Sequence, residues 1–331
     1  MNQKNWTIGV DLGGTKVEAA AVDASGSILK KIRRPTAVAG GPEAVAREIV
    51  EMVSDLQGAG PGQALLGVGV GVAGQIEATT GVVRFAPNLK WRDVPFREQL
   101  GQILKLPVAL TNDVRAATWG EWLHGAGQGC DDLICLFVGT GIGGGVVSGG
   151  RMLSGCSNTA GELGHTTVAL DGPVCTCGRR GCLEALAGGW AIARQARNAI
   201  QADPAGGRGI LQAAAELKQR SATPEDVTAQ AVARAAQSGD PLAGRLVEEA
   251  ARALVAGCAS LVNAFNPCRL ILGGGVIEGL PELVERIARG VAQEGLQAAT
   301  ESLQVLPARL HGEAGVIGAA ALARLTVSGE P

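Results

Sequence analysis

TIGVDLGGTKVEAAAVDASGSILKKI, from Thr7 to Ile32, reads as a strand, a glycine turn, a second strand, a Ser-Gly turn and a third strand. A helical pattern follows over Pro42–Leu56. GQALLGVGVGV then reads as a buried strand, and PVALTND as a short strand ending in two polar residues, with a helix from about Val114. Strands and helices that alternate in this way form α/β domains. The opening device returns at LICLFVGTGIGGGVVSGG, Leu133–Gly150, again strand, glycine turn, strand. We read a weak internal repeat, with two α/β domains that each begin on a hairpin around a glycine turn. Helices dominate from about Glu184. Thr223-Pro224-Glu225-Asp226 and Asp240-Pro241 each offer a cap with Pro at the first helical position. RLILGGGVIEG, from Arg269, is a strand running into glycines and a further helix. The last run, Gly315–Leu325, is small and apolar, as a helix docking against another element would be.

The 331 residues suffice for two domains with their own cores. A composition of 46% apolar and 18% charged residues is globular, and the net charge of −2 gives no general attraction to nucleic acid or an anionic membrane. MNQKNW lacks the basic and apolar regions of an export signal, and the apolar run Ala64–Gly74 is too short and glycine-rich to span a bilayer. The eight cysteines are unevenly spread. A reducing cytoplasm is expected, where clustered cysteines favour metal over disulfides.

Three glycine clusters follow strands: Asp11-Leu12-Gly13-Gly14-Thr15-Lys16, the run Gly139-Thr140-Gly141 to Gly145, and Gly273-Gly274-Gly275. Each is an ordinary hairpin turn or a place where backbone N–H groups approach phosphate oxygens. Three in one chain, one flanked by Asp and Lys, favour a nucleotide. There is no GxxxxGK[ST]. GxGxxG occurs at Gly139/Gly141/Gly144 and at Gly69/Gly71/Gly74, but strand and turn follow each where a dinucleotide fingerprint needs a helix. Asp11 can hold Mg²⁺ beside phosphates or cap its turn, and Thr15 and Lys16 can donate to phosphates.

Asn112-Asp113 closes a strand and precedes a helix. Asp113 is therefore either a helix N-cap or a general base at a strand C-terminus, taking a proton from a phosphoryl acceptor. Glu162 and His165, in GELGH, share a face if locally helical. Behind them, Cys175, Cys177 and Cys182 follow a C-x-C-x4-C spacing. With His165 they complete a tetrahedral shell for a structural zinc; redox thiols and an inert core are the alternatives. Cys130, Cys135, Cys156, Cys258 and Cys268 sit in apolar surroundings and are expected in the core.

DLGGTK, NDxxAATxGE, GTGIGGG, GExGH, CxCGxxGCxE and LGGGV, in that order over about Ile8–Ala319, resemble the bacterial ROK family of sugar kinases, repressors and open reading frames. The resemblance implies an actin-like, ribonuclease-H-like fold of two α/β domains with a cleft between them. It places the last helix back on the first domain: a small domain over 1–114 with 315–331, and a larger one over 115–314 carrying the zinc motif. It implies ATP and Mg²⁺ in the cleft, with phosphates on the first two glycine loops and adenosine by Gly273–Gly275. It makes Asp113 the catalytic base and Gly74, Asn88, Asn112, Asp113, Glu162, His165 and Glu184 the sugar-binding set. Zinc would be held by His165, Cys175, Cys177 and Cys182. Ala73 and Arg115 depart from residues the family often carries, Pro and Asn; the second touches the expected shape of the sugar pocket.

An ATP-dependent hexokinase needs all these polar groups. A DNA-binding repressor of the family carries a helix-turn-helix before the first strand, and about five residues stand there. A sugar-sensing relative without catalysis is disfavoured by an intact Asp113. Glucose is the expected substrate, since APNLKWRDVPF resembles the segment found in glucokinases of the family. Kinases of N-acetylglucosamine, N-acetylmannosamine, mannose or fructose are the alternatives. The expected partners are a hexose and ATP, with no nucleic acid or membrane, and the family implies a homodimer or homotetramer.

Overall fold

The computed structural model describes residues 5–60 and 64–329; the part of the export-signal expectation that rests on residues 1–4 lies outside them. In chain order the strands are β1 (Trp6–Leu12), β2 (Lys16–Val22), β3 (Ile28–Pro35), β4 (Leu65–Val72), β5 (Gln75–Ile76), β6 (Val83–Ala86), β7 (Trp91–Val94), β8 (Val108–Asn112), β9 (Leu133–Val138), β10 (Ile142–Ser148), β11 (Arg151–Met152), β12 (Arg269–Gly273) and β13 (Gln304–Pro307). The α-helices are α1 (Gly41–Leu56), α2 (Phe96–Leu104), α3 (Asp113–His124), α4 (Leu183–Ala187), α5 (Gly189–Ala202), α6 (Arg208–Lys218), α7 (Ala229–Gln237), α8 (Pro241–Phe265), α9 (Gly275–Gly279), α10 (Glu282–Glu294), α11 (Gln297–Thr300) and α12 (Ala314–Ser328). Two compact units result: residues 1–131, 145–161 and 308–331 form the first, and residues 132–144 and 162–307 the second.

The first unit is built on a sheet of order β3-β2-β1-β4-β8. β1, β2 and β3 are successive antiparallel neighbours, whereas β4 and β8 run parallel to β1. The register sets Asp11 opposite Gly71 and Gly71 opposite Thr111, and Val72 opposite Asn112, so Asp11 and the Asn112-Asp113 pair leave the sheet at one edge. That edge is where ligands meet parallel strands. One face is covered by α1, whose Val45, Ile49, Met52, Val53 and Leu56 recur at helical spacing and pack with Ile8, Val10, Val68 and Val70.

The other face receives α12 at backbone distance. A Cβ on Gly9 would lie 1.8 Å from Val316 O, and one on Gly69 would lie 1.8 Å from Ala319 O. Only glycine lets a helix backbone come this close to a sheet. Helix α12 is correspondingly made of small residues, with Ala314, Gly318, Ala319, Ala320 and Ala323 buried. The expected docking of the last helix is therefore built from both partners' missing side chains.

The second sheet has the order β11-β10-β9-β12-β13, with β9, β12 and β13 parallel and β10 and β11 antiparallel. Matched position by position, the two sheets share one strand order, which is the repeat expected from the two glycine hairpins. Helices α4 to α11 belong to the second unit. Asp240 caps α8 as expected, its Oδ1 accepting from Ala243 N at 2.8 Å.

The other expected helix start is different. Thr223 and Asp226 close a capping box around a single 3-10 turn, Pro224–Asp226, and Val227 then returns to extended backbone. Helix α7 begins beyond it, capped by Thr228 Oγ1, which accepts from Ala231 N at 3.2 Å. Asp226 also accepts from Arg220 and from Thr223 N, so the turn satisfies itself and has no need to propagate. Among the described residues no helix is long and apolar enough to cross a membrane.

Candidate active site

In the first unit the chemistry collects at the sheet edge that β1 and β8 share. Asn112 stands at the N-cap of α3: its Oδ1 accepts from Val114 N at 2.9 Å and from Arg115 N at 3.2 Å. Capping therefore falls to Asn112, and Asp113 is the first helical residue. The amide of Asn112 also donates to Gly74 O at 3.2 Å, which joins two of the expected sugar-site positions. Asp11 titrates near 6, raised from 3.8 by burial first and then by the charge of Asp113; Lys16 pulls it down and Glu18 pushes it up. The two carboxyl groups therefore lie in each other's field.

The DLGGTK turn is a tight hairpin, with Gly13 N donating to Lys16 O at 3.0 Å. Gly14 leaves room for the 3-10 turn Pro87–Leu89, since a Cβ there would lie 2.6 Å from Asn88 O. Asn88 itself is exposed, as are Thr15 and Lys16. Lys16 makes an ion pair with Glu18 at 3.5 Å.

Two residues of this unit were not singled out by pattern. Arg115, noted only as a departure, is 7% exposed. It donates to Asn158 Oδ1 at 2.7 Å and to Ser154 Oγ at 2.9 Å, and Asn158 in turn donates to Ile76 O at 2.9 Å. The guanidinium thus braces the segment that leads into GELGH. Glu121, the last residue of NDxxAATxGE, is fully buried and accepts from Ala126 N, Arg309 N and Leu310 N at 2.9, 3.0 and 2.7 Å. It clamps the segment that enters α12. A charge in a motif looked functional or solvated, and nothing local to it announced partners 188 and 189 residues away.

In the second unit, a cavity of about 930 Å³ is lined by Gly139, Thr140, Trp190, Arg197, Thr228, Gly275 and Glu278 among others. Its size is that of a ligand cleft. It brings together the loop after β9 and the loop after β12, two of the three expected phosphate or adenosine segments. The first loop is held by α5, whose Gly189 N and Trp190 N donate to Gly139 O and Thr140 O, both at 2.9 Å. In the second loop Gly273 ends β12, Gly274 takes a φ of +89°, and Gly275 opens α9.

Gly141 has a further use. A Cβ on it would lie 2.4 Å from Glu184 Oε2, and that oxygen accepts from Ile142 N at 2.9 Å. The other oxygen accepts from Thr176 Oγ1 and Trp190 Nε1, both at 3.2 Å. Glu184, 9% exposed, therefore ties the glycine loop, the cysteine loop and α5 together. Glu162 is exposed and precedes the 3-10 turn Leu163–His165, with His165 N donating to Glu162 O at 3.1 Å. This is the locally helical geometry that aligns positions i and i+3.

His165, Cys175, Cys177 and Cys182 each offer a ligand atom, all within 4.8 Å of one another. Cys175 Sγ lies 3.7 Å from His165 Nδ1, and Cys177 Sγ lies 3.7 Å from Cys182 Sγ. A tetrahedral ion with Zn–S near 2.3 Å and Zn–N near 2.0 Å sets its ligand atoms about 3.5–3.8 Å apart, so these residues fit zinc. The thiols are unequal: a backbone hydrogen bond from Arg179 is the main cause that brings Cys177 down to about 6, and burial is the main cause that pushes Cys182 up to about 12. Of the other cysteines, Cys130, Cys135 and Cys258 are buried as expected, but Cys156 and Cys268 are exposed. Cys156 sits on a loop after β11 and Cys268 just before β12 begins, where apolar neighbours in sequence do not become neighbours in space.

Residues 7–325 match the family model described as ROK family. The chain belongs to the ROK family. A glucokinase of Streptomyces coelicolor is 36% identical over 319 residues, which are 96% of this chain and 97% of that protein. An N-acetylmannosamine kinase of Escherichia fergusonii is 33% identical over 326 residues, 96% and 98% of the two chains. A ROK family glucokinase from Streptomyces griseus, solved in complex with glucose and AMPPNP, superposes with a TM-score of 0.79 at 37% identity, covering 96% of this chain and 99% of that one. The fold is thus the two-domain, actin-like fold of ROK proteins.

Proposed function

We propose that this ROK protein is an ATP-dependent hexose kinase that converts glucose to glucose 6-phosphate. The observation that carries the reading is the likeness, over nearly the whole chain, to a glucokinase solved with glucose and a nucleotide analogue. The residues support it. Asp113 would accept the proton of the sugar hydroxyl as that oxygen attacks the γ-phosphorus in line and ADP leaves. Asn112 would fix the start of α3 and the Gly74 carbonyl, and with Asn88, Glu162, His165 and Glu184 would orient the hydroxyls. Amides of the Gly13–Lys16 and Gly139–Gly141 loops would donate to the phosphates, and the cavity by Gly275 would take the adenosine. Mg²⁺, held by Asp11 directly or through water, would neutralise phosphate charge. Zinc on His165, Cys175, Cys177 and Cys182 would order the sugar-side loops.

A panel of hexoses and amino-hexoses with ATP, scored by ADP release, tests the reading. Glucose is expected to give the highest kcat/KM. A preference for N-acetylmannosamine would replace the substrate and keep the chemistry. Asp113→Ala should lower kcat at least about a hundredfold while glucose still binds, and a variant with near-normal kcat would sink the assignment of the base. A cytoplasmic homodimer or homotetramer goes with this reading, and light scattering on the eluted protein measures the assembly.

A further inference from the structure

A second cavity, of about 410 Å³, lies wholly within the first unit. Three arginines line it: Arg97 from α2, Arg115 from the first turn of α3, and Arg151 from β11. No aspartate or glutamate is among its lining residues. None of the three guanidiniums is in an ion pair with a described residue. This is unusual in a chain whose acids outnumber its Lys and Arg, 31 to 29.

Arg115 is the telling member. It is 7% exposed, and its Nε is buried with no hydrogen-bond partner. Its other nitrogens reach only neutral oxygens, on Asn158 and Ser154. Arg97 likewise donates to two backbone carbonyls, of Ala78 and Thr79. A buried cation without a counter-charge is costly, and burial alone accounts for the lowered pKa of Arg115. A chain that keeps such a group against a cavity gains most when an anion enters. Arginine forks match the oxygens of phosphate, and three of them suit a dianion better than a monoanion. The volume admits orthophosphate together with a small organic substituent, for which Leu110, Trp119 and Leu322 provide an apolar wall.

We propose that this cavity binds a phosphoryl dianion, free or as a small phosphate monoester, on Arg97, Arg115 and Arg151. The site is distinct from the glycine loops, and it touches α3 two residues after Asp113. Binding would draw on the same guanidinium that holds Asn158 and Ser154, so occupancy and the bracing of that loop are coupled.

Calorimetric titration of the full chain with orthophosphate, against chloride at matched ionic strength, is the test. Saturable binding by the wild type is expected. Arg97→Ala/Arg151→Ala should weaken it about tenfold or more, as loss of charged hydrogen bonds does, and Lys16→Ala, in the glycine loop, should leave it unchanged. Arg115→Met should abolish binding and raise the melting temperature of the phosphate-free protein; if it does not fold, the Arg97/Arg151 pair decides. Glycerol 2-phosphate in place of orthophosphate separates the two sources, since tighter binding of the ester would identify an organic phosphate. Absence of binding, or binding lost in Lys16→Ala and kept in the arginine variants, would overturn the proposal.

Discussion

At the scale of single residues, Asp11 shows how a ligand-ready group burdens the empty protein. Its carboxyl titrates near 6, against about 3.8 when exposed. Between those values the folded chain holds a proton that the unfolded chain has released. Stability contributed at Asp11 is therefore highest below about pH 4 and falls as the pH rises towards 6. Two pH units correspond to about 2–3 kcal/mol. Asp11→Asn, studied in chelator, should therefore raise the urea midpoint at pH 7–8 by about that much and leave it unchanged near pH 4. An equal shift at both pH values would mean that something other than ionisation at Asp11 is at work.

Elements carry the next set of effects. Helix α12 reaches the first sheet through the absent side chains of Gly9 and Gly69. Gly69→Ala would drive a methyl to within 1.8 Å of Ala319 O, a backbone atom that cannot turn aside. A loss of about 3 kcal/mol or more is expected, at the upper end of overpacking effects, read as a lower urea midpoint with an unchanged slope. The cysteine loop should behave as a separate piece. Wild-type protein is expected to hold zinc, and Cys177→Ser to lose it together with much of its sugar affinity. The link runs through Thr176 and Glu184, joined at 3.2 Å. Metal analysis that found no zinc in the wild type would remove the basis for this expectation.

The hairpins, the buried strands, α12 and the metal cluster were legible in the sequence because each is written in neighbouring residues. Glycine after a strand, alternating apolar runs and C-x-C-x4-C are local signals. What stayed hidden depends on distant partners. The GxGxxG string at Gly69 looked like a nucleotide loop, yet Gly69 is there for Ala319. Gly141 looked like a phosphate contact and also makes room for Glu184. Asp113 was balanced between cap and base until the Asn112 side chain was seen to make both capping bonds.

For the whole molecule, the consequence of interest is where binding energy lands. The large cavity by Gly139 and Gly275 is lined by residues of the second unit alone. A nucleotide at a hundred times its Kd adds about 2.7 kcal/mol to the state that binds it. Spread over a chain of 331 residues melting as one, this raises Tm by about 4 °C. If scanning calorimetry resolves two transitions, AMPPNP should move only one of them, by about twice as much, since that unit holds roughly half the chain. An unmoved Tm at saturating AMPPNP would contradict the nucleotide reading of the cavity.

The first unit is written in three pieces, and its last piece, residues 308–331, is also the last to leave a ribosome. Strands β1 to β4 and β8 emerge early, with the stripe around Gly9 and Gly69 that only α12 can cover. At about 5–20 residues per second, roughly 10–40 s separate the exit of residue 131 from that of the helix. Throughout that interval a nascent sheet with one bare apolar face waits on the ribosome while the second unit is made. The order of synthesis, not the strength of the finished packing, therefore sets when this protein is most exposed to aggregation and most in need of a chaperone.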